Sequence, residues 1–380
     1  MSRNHYGTPR KNQSHTPRGK ESLDHSGISA KGTGHRTRDY RESPLVVTWE
    51  TTQACDLSCD HCRAEAAPNR STEELTTEEG IGLFTQIAKF SPQPILVLSG
   101  GDPLKRPDLF DLLEAAVDLG VTPSVTPATT PLLTREIIER FEEIGIGRMA
   151  VSIDGATAES HDSFRGENGT FDRAIQAAEQ AADLGVSIQI NTTVTAATVD
   201  ELPEIADLAE RLKAAMWEVF FLVPIGRGET LGQLSPGKAR EVMQWLYQRG
   251  RDAPFRIITV EAPFYRRVAH ETQREQGKEP GHVGSTGAGN GFVFVSHTGE
   301  VYPSGFMPVS AGNIRNTALS QIYRDAELMQ QLRDRGGFDG PCGDCSFTSI
   351  CGGSRSRAYA ATGNPIGSDP LCVYTSGTTH

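Results

Sequence analysis

The alternation of β-rich and helical stretches constrains this chain more than any other feature. Strand candidates lie at Leu45–Trp49, Ile95–Ser99, Val121–Thr126, Arg148–Ile153, Ser187–Val194 and Trp217–Val223. Between them the helical period predicts helices over Thr77–Phe90, Pro107–Leu119, Thr134–Ile144, Phe171–Leu184 and Val199–Lys213. Thr77 is placed to cap the first helix, Gly80 is a weak spot inside it, and Gly120, Gly145 and Gly185 follow the last turns of the next three. Strands separated by helices predict parallel β/α units in an α/β sheet that either lies open or curls towards a barrel. Either way, functional residues gather at the C-terminal ends of the strands.

Beyond this alternation, Ser235–Arg249 reads as a helix and Phe255–Thr259 as a strand, while Thr272–Asn290 is polar, Gly-rich and without periodicity. Phe292–Ser296 and Glu300–Tyr302 flank a His297-Thr298-Gly299 turn and predict a hairpin, followed by a helix over Leu319–Leu332. No apolar run approaches the roughly 18 residues of a membrane span, and no secretory signal opens the chain, so a cytoplasmic protein is expected. Its seven cysteines then point to metals or catalysis before disulfides. Residues 1–43 carry nine Lys/Arg against four Asp/Glu and the remainder 28 against 44. The folded part is therefore acidic, which argues against a nucleic-acid partner. The basic tail, poor in aliphatic residues, is expected to be disordered, with His5, His15, His25 and His35 scattered along it.

Two cysteine groups carry chemistry. Cys55, Cys59 and Cys62 follow the first strand at spacings that let three thiolates wrap one corner of a cubane cluster, leaving one iron open. Structural zinc prefers four ligands, and His61, adjacent to Cys62, is badly placed to be the fourth. Cys342, Cys345, Cys351 and Cys372 make a closed four-ligand set, which by spacing alone suits either an iron-sulfur cluster or zinc; the companion group favours iron-sulfur.

From Leu45 to Val223 the sequence resembles the radical S-adenosylmethionine (SAM) superfamily. The resemblance rests on the three-cysteine loop after the first strand, Ser99-Gly100-Gly101-Asp102-Pro103, Val151-Ser152-Ile153-Asp154-Gly155 and the segment His161–Gly166. It implies a partial (β/α)6 barrel over residues 44–225, a connecting region over 226–290, and a smaller C-terminal iron-sulfur domain over 291–380 similar to SPASM or twitch extensions. In such enzymes Gly100, Gly101 and Asp102 would meet the SAM amino group, Ser152 its ribose or carboxylate region, and Arg165 its carboxylate through paired hydrogen bonds. Asn191 is a further polar contact. A surface ion pair of Arg165 with Asp162 or Glu167 is the plainer alternative. The implied reaction is reductive cleavage of SAM at a 4Fe-4S cluster to a 5'-deoxyadenosyl radical, which abstracts hydrogen from substrate. An external one-electron donor such as flavodoxin or ferredoxin would feed it.

The C-terminal block supports one auxiliary 4Fe-4S cluster, because Ser304 stands where a fuller SPASM domain has an early cysteine. Cys351–Cys372 is similar to the corresponding block of haem-precursor radical SAM enzymes, so a tetrapyrrole-like small molecule is the expected substrate, bound between barrel and auxiliary cluster with Thr272–Asn290 as a lid. Arg355 and Arg357 would pair with its carboxylates or else hold cluster-loop carbonyls. A peptide maturase is the rival, disfavoured by the short N-terminal tail; a non-catalytic electron-transfer protein is the second.

Overall fold

The computed structural model describes residues 38–279 and 286–374. Most of the basic tail, including its four histidines, lies outside the described residues. The elements run β1 (Val46–Thr52), α1 (Thr77–Ala88), β2 (Ile95–Gly100), α2 (Leu109–Asp118), β3 (Pro123–Val125), α3 (Arg135–Ile144), β4 (Arg148–Ser152), α4 (Ala158–Arg165), α5 (Thr170–Leu184), β5 (Ile188–Val194), α6 (Leu202–Arg211) and β6 (Met216–Phe221). Then follow α7 (Pro236–Asp252), β7 (Arg256–Val260), α8 (Tyr265–Glu275), β8 (Gly287–Ala288), β9 (Gly291–Val295), β10 (Glu300–Tyr302), β11 (Gly312–Asn313), α9 (Leu319–Asp325), α10 (Glu327–Arg333) and α11 (Arg355–Thr362).

Strands β1 to β7 pair in chain order, every pair parallel. The path ends at β7 and at β11 without closing, in keeping with the partial barrel that the family resemblance implies. Its first edge is not left open. β9 lies parallel to β1, from Val46 opposite Phe292 to Trp49 opposite Val295, and β10 and β11 continue antiparallel. The pairing removes the bare edge of an apolar strand that would otherwise offer unpaired backbone groups. The residues from 291 onward thus share one sheet with the barrel, and no helix among the described residues is long and apolar enough to cross a membrane.

Several sequence readings change for local reasons. Thr76, not Thr77, caps α1: its hydroxyl accepts from Glu79 N at 3.2 Å while Glu79 accepts from Thr76 N at 2.8 Å. Gly80 sits inside α1 because a Cβ there would lie 2.7 Å from the fully buried Trp49 ring, so close packing of helix on strand offsets its poor helix propensity. The helix expected over 319–332 breaks at Ala326, whose extended backbone separates α9 from α10. Helix α8 occupies the start of the expected long loop and β8 its end, with residues 280–285 outside the described part. Helix α4 was not anticipated, being short and polar, yet it carries Arg165 to the cysteine loop.

Candidate active site

Cys55, Cys59 and Cys62 lie in the loop leaving β1 and pack in one cluster with Leu57, Ala66 and Ala128. Little secondary structure shapes this loop, so its course is set by polar contacts. Gly101 N donates to Thr52 O at 2.8 Å, Asp102 N to Ala54 O at 2.7 Å, and Cys55 N to Ala67 O at 2.8 Å. Arg227 Nε donates to Cys59 O at 2.8 Å. A Cβ at Gly100, whose φ is +144°, would lie 2.2 Å from Thr52 O, and one at Gly101 2.4 Å from Ala54 O. The neighbour that demands these glycines is therefore the stem of the cysteine loop itself. His61 does not join the thiols. Its ring stacks on Phe164 at 4.6 Å, and burial pushes its pKa down to about 4.

Arg165 at the end of α4 is 12% exposed and pairs with the buried Asp154, with Nη1 3.7 Å from the Cys59 sulfur and Nε without a partner. The surface pairs weighed in the sequence do not form. Asp162 accepts from Thr170 and Phe171 at 2.7 Å each, and Glu167 takes Arg173 at 2.5 Å. Ser152 ends β4 opposite Asn191 on β5, whose amide oxygen accepts from Gln189 at 2.8 Å. Asp102 turns its carboxylate inward to Leu104 N (3.1 Å), Ala128 N (3.3 Å) and Thr130 (3.0 Å), so only the backbone of this segment is left to meet a ligand.

Cys342, Cys345, Cys351 and Cys372 line a second, smaller cavity with Arg267, Phe347 and Tyr374. The two regions share a device. Leu57 N donates to Cys55 Sγ, Phe347 N to Cys345 Sγ and Gly353 N to Cys351 Sγ, each at 3.4 Å across two residues. Arg267, 1% exposed, adds Nη1 at 3.1 Å from Cys372 Sγ. Burial pushes the Cys55 and Cys351 thiols up to about 12. Such thiols stay protonated until a metal displaces the proton.

Of the two readings of Arg355 and Arg357, the contacts within the protein match the one in which they hold backbone carbonyls. Arg357 is fully buried, donating to Leu222 O (3.2 Å), Phe221 O (3.3 Å) and Glu261 O (2.7 Å) and pairing with Asp369 at 3.1 Å. Arg355 donates to Gly367 O at 2.6 Å and lies over the Phe338 ring at 4.3 Å. Ser304 likewise serves the fold, donating with Ser354 and Ser356 to the Glu261 carboxylate at 3.0, 2.5 and 2.8 Å.

A cavity of about 590 Å³ opens beside the first cysteine loop. Arg63 and Glu65 from that loop, Glu50 from β1, His297 from the β9–β10 turn, Phe294 from β9 and Tyr359 from α11 all reach it. No described residue of the expected lid lines it. Glu50 is buried and bonded on one oxygen to Arg63 at 3.1 Å and on the other to His297 Nδ1 at 2.9 Å. Burial raises its pKa, but Arg63 and His297 outweigh that and hold it below the ordinary carboxylate value. None of these three was singled out in the sequence. The available signals were an arginine directly after Cys62 and a histidine at a hairpin tip.

A partial β/α barrel with three cysteines beyond its first strand and an arginine against them defines a class, and the chain belongs to the radical SAM superfamily, whose family model matches residues 49–209. It is 38% identical to the AdoMet-dependent heme synthase of Methanosarcina barkeri, over 88% of this chain and 98% of that protein. It is 30% identical to the Fe-coproporphyrin III synthase of the same organism, over 93% and 94%. Among solved structures it superposes on Streptococcus suis SuiB bound to S-adenosylmethionine with a TM-score of 0.70 at 16% identity, over 87% of this chain and 78% of that one. SuiB bound to its precursor peptide SuiA gives 0.67 at 16%, over 87% and 76%. The chain is thus an enzyme of radical chemistry, for which the family implies a 4Fe-4S cluster and SAM. The residues fit both groups: amide N–H and guanidinium donors aim at the thiols, and the buried Arg165 Nε has no partner within the protein.

Proposed function

We propose that this chain catalyses a haem-forming step, acting on the carboxylate-bearing side chains of an iron tetrapyrrole. What carries the reading is the identity of 38%, running over 98% of a protein named AdoMet-dependent heme synthase. Cys55, Cys59 and Cys62 hold the SAM-binding 4Fe-4S cluster, and Arg165 meets the SAM carboxylate, displaced in part from Asp154. Backbone of Gly100 to Asp102 takes the amino group, with Ser152 and Asn191 as further polar contacts. Cys342, Cys345, Cys351 and Cys372 hold one auxiliary 4Fe-4S cluster. When bound, cluster and SAM supply a 5'-deoxyadenosyl radical that takes hydrogen from the substrate.

The substrate lies in the 590 Å³ cavity, inside the usual range of roughly 300–1,000 Å³ for small-molecule sites. Arg63, not Arg355 or Arg357, is placed to receive a carboxylate there. A flavodoxin or ferredoxin would deliver the electron. The test is anaerobic incubation of reconstituted enzyme with iron-coproporphyrin III, SAM and dithionite. Substrate-dependent 5'-deoxyadenosine with a changed porphyrin mass supports the reading, and its absence removes it. A peptide substrate is the second reading, favoured by the solved SuiB–SuiA complex of like fold; turnover on a peptide with none on the porphyrin would select it.

A further inference from the structure

We propose that His297 ligates the iron of the substrate through Nε2, with Glu50 as the carboxylate that sets its tautomer. The inference rests on the iron-tetrapyrrole reading above and deepens it. His297 sits at the tip of the β9–β10 turn, held from behind by Leu75 N donating to its carbonyl at 2.7 Å, and it lines the cavity. Its Nδ1 lies 2.9 Å from Glu50 Oε2. Glu50 is itself anchored, 2% exposed, with Arg63 on its other oxygen at 3.1 Å and the Arg63 guanidinium 4.4 Å above the Phe294 ring.

These contacts decide which ring nitrogen carries the proton. An ionised carboxylate can only accept, so Nδ1 must donate, and in the neutral ring Nε2 is the nitrogen that carries the lone pair. Histidines that bind metals almost always donate their second N–H in this way to a carboxylate or carbonyl, which orients the ring and raises its basicity. Haem iron is commonly held by such a histidine. The wall beside it suits a flat macrocycle, because Phe294 and Tyr302 stack within 8° of parallel at 6.2 Å and both line the cavity. His297 is thus both part of a buried ion pair with Glu50 and part of the cavity wall. On this account iron ligation fixes the macrocycle plane against the loop that carries Cys55 to Cys62, and Arg63 and the peripheral carboxylates settle its rotation in that plane.

The test is anaerobic titration of the full chain with iron(III)-coproporphyrin III and, in parallel, with metal-free coproporphyrin III, read by absorption and electron paramagnetic resonance. In the wild type, the bound iron porphyrin should show the spectrum of a nitrogen-ligated iron. His297→Ala and His297→Gln should lose that spectrum and weaken iron-porphyrin binding about 10–100-fold, while metal-free binding changes less than about twofold. Added imidazole should restore the ligated spectrum in His297→Ala. Glu50→Gln should keep ligation with a shifted spectrum. If the iron porphyrin binds and its spectrum is the same in wild type and both variants, His297 is not the ligand, although the tetrapyrrole reading stands. If neither porphyrin binds the wild type, the tetrapyrrole reading itself fails and this inference with it.

Discussion

The two cysteine regions solve the same problem with different means. The first is a loop borrowed by the barrel: its stem is pinned to β2 through Gly101 and Asp102, its middle to Arg227, and its three thiols pack with Leu57, Ala66 and Ala128. The second is a segment poor in apolar residues that is held by ionic and polar bonds, chiefly Arg357 to Asp369 and to carbonyls at the end of β6. If the proposed ligand sets hold, the first region would keep its scaffold without metal, whereas in the second metal and buried arginine would share the work of folding. Three ligands would leave a position open to a small molecule and four would not.

The largest expected effect tests that division directly. Replacing Cys55, Cys59 and Cys62 together by Ala should abolish SAM cleavage and lower iron content from about eight to about four per chain, leaving the barrel resistant to protease. Iron and sulfide assays with 5'-deoxyadenosine analysis check this, and residual cleavage would overturn the assignment. Next in size is Arg357→Ala, which removes the guanidinium paired with the buried Asp369. Breaking such a pair costs about 3–5 kcal/mol, and proteolysis should appear first between residues 336 and 374. The double change Arg357→Met with Asp369→Leu should recover much of that stability. Equal protease sensitivity in barrel and C-terminal segment would mean that the two regions do not fold as differently as described.

Arg165→Ala gives a smaller effect, about 1.5–3 kcal/mol in SAM affinity, the worth of a hydrogen bond to a charged group. Isothermal titration under anaerobic conditions measures it. Unchanged affinity would leave Arg165 with a structural role, held between Asp154 and the Cys59 sulfur.

How far the sequence could be read differs between the same two regions. The barrel was legible because a parallel strand writes a continuous apolar run and a helix writes a 3.6-residue period, and both survive folding with shifts of a few residues. The cysteine groups were legible because spacing along a loop is nearly geometry in itself. What stayed hidden depends on contacts distant in sequence. Nothing local tells that β9 will cover the edge of β1, that Arg357 will reach carbonyls at the end of β6, or that Glu50 meets a histidine 247 residues away. Nor does anything local tell that the Asp102 side chain will turn to Thr130, in a loop after β3, and present only its backbone on that side.

The smallest expected effect concerns Glu218 and sets the barrel's response to pH apart from that of the C-terminal segment. Glu218 stands on β6 opposite Asn191, and burial pushes its pKa from 4.5 up to about 7, only partly offset by Arg148 and Arg256. Between pH of about 4.5 and 7 the folded chain therefore holds a proton that the unfolded chain has lost, and stability must fall as pH rises through that window and level off above it. Glu50 and Asp154, whose pKa values are lowered, act in the opposite sense and cost stability only as pH falls towards and below the carboxylate range. Glu218→Gln should accordingly flatten the decline in urea midpoint between pH 5 and 7 while leaving the acid limb below pH 4 in place. Because Glu218 belongs to the barrel, the protease sensitivity of residues 336–374 should not follow the same change. A decline that persists in the variant would assign the titration to another group.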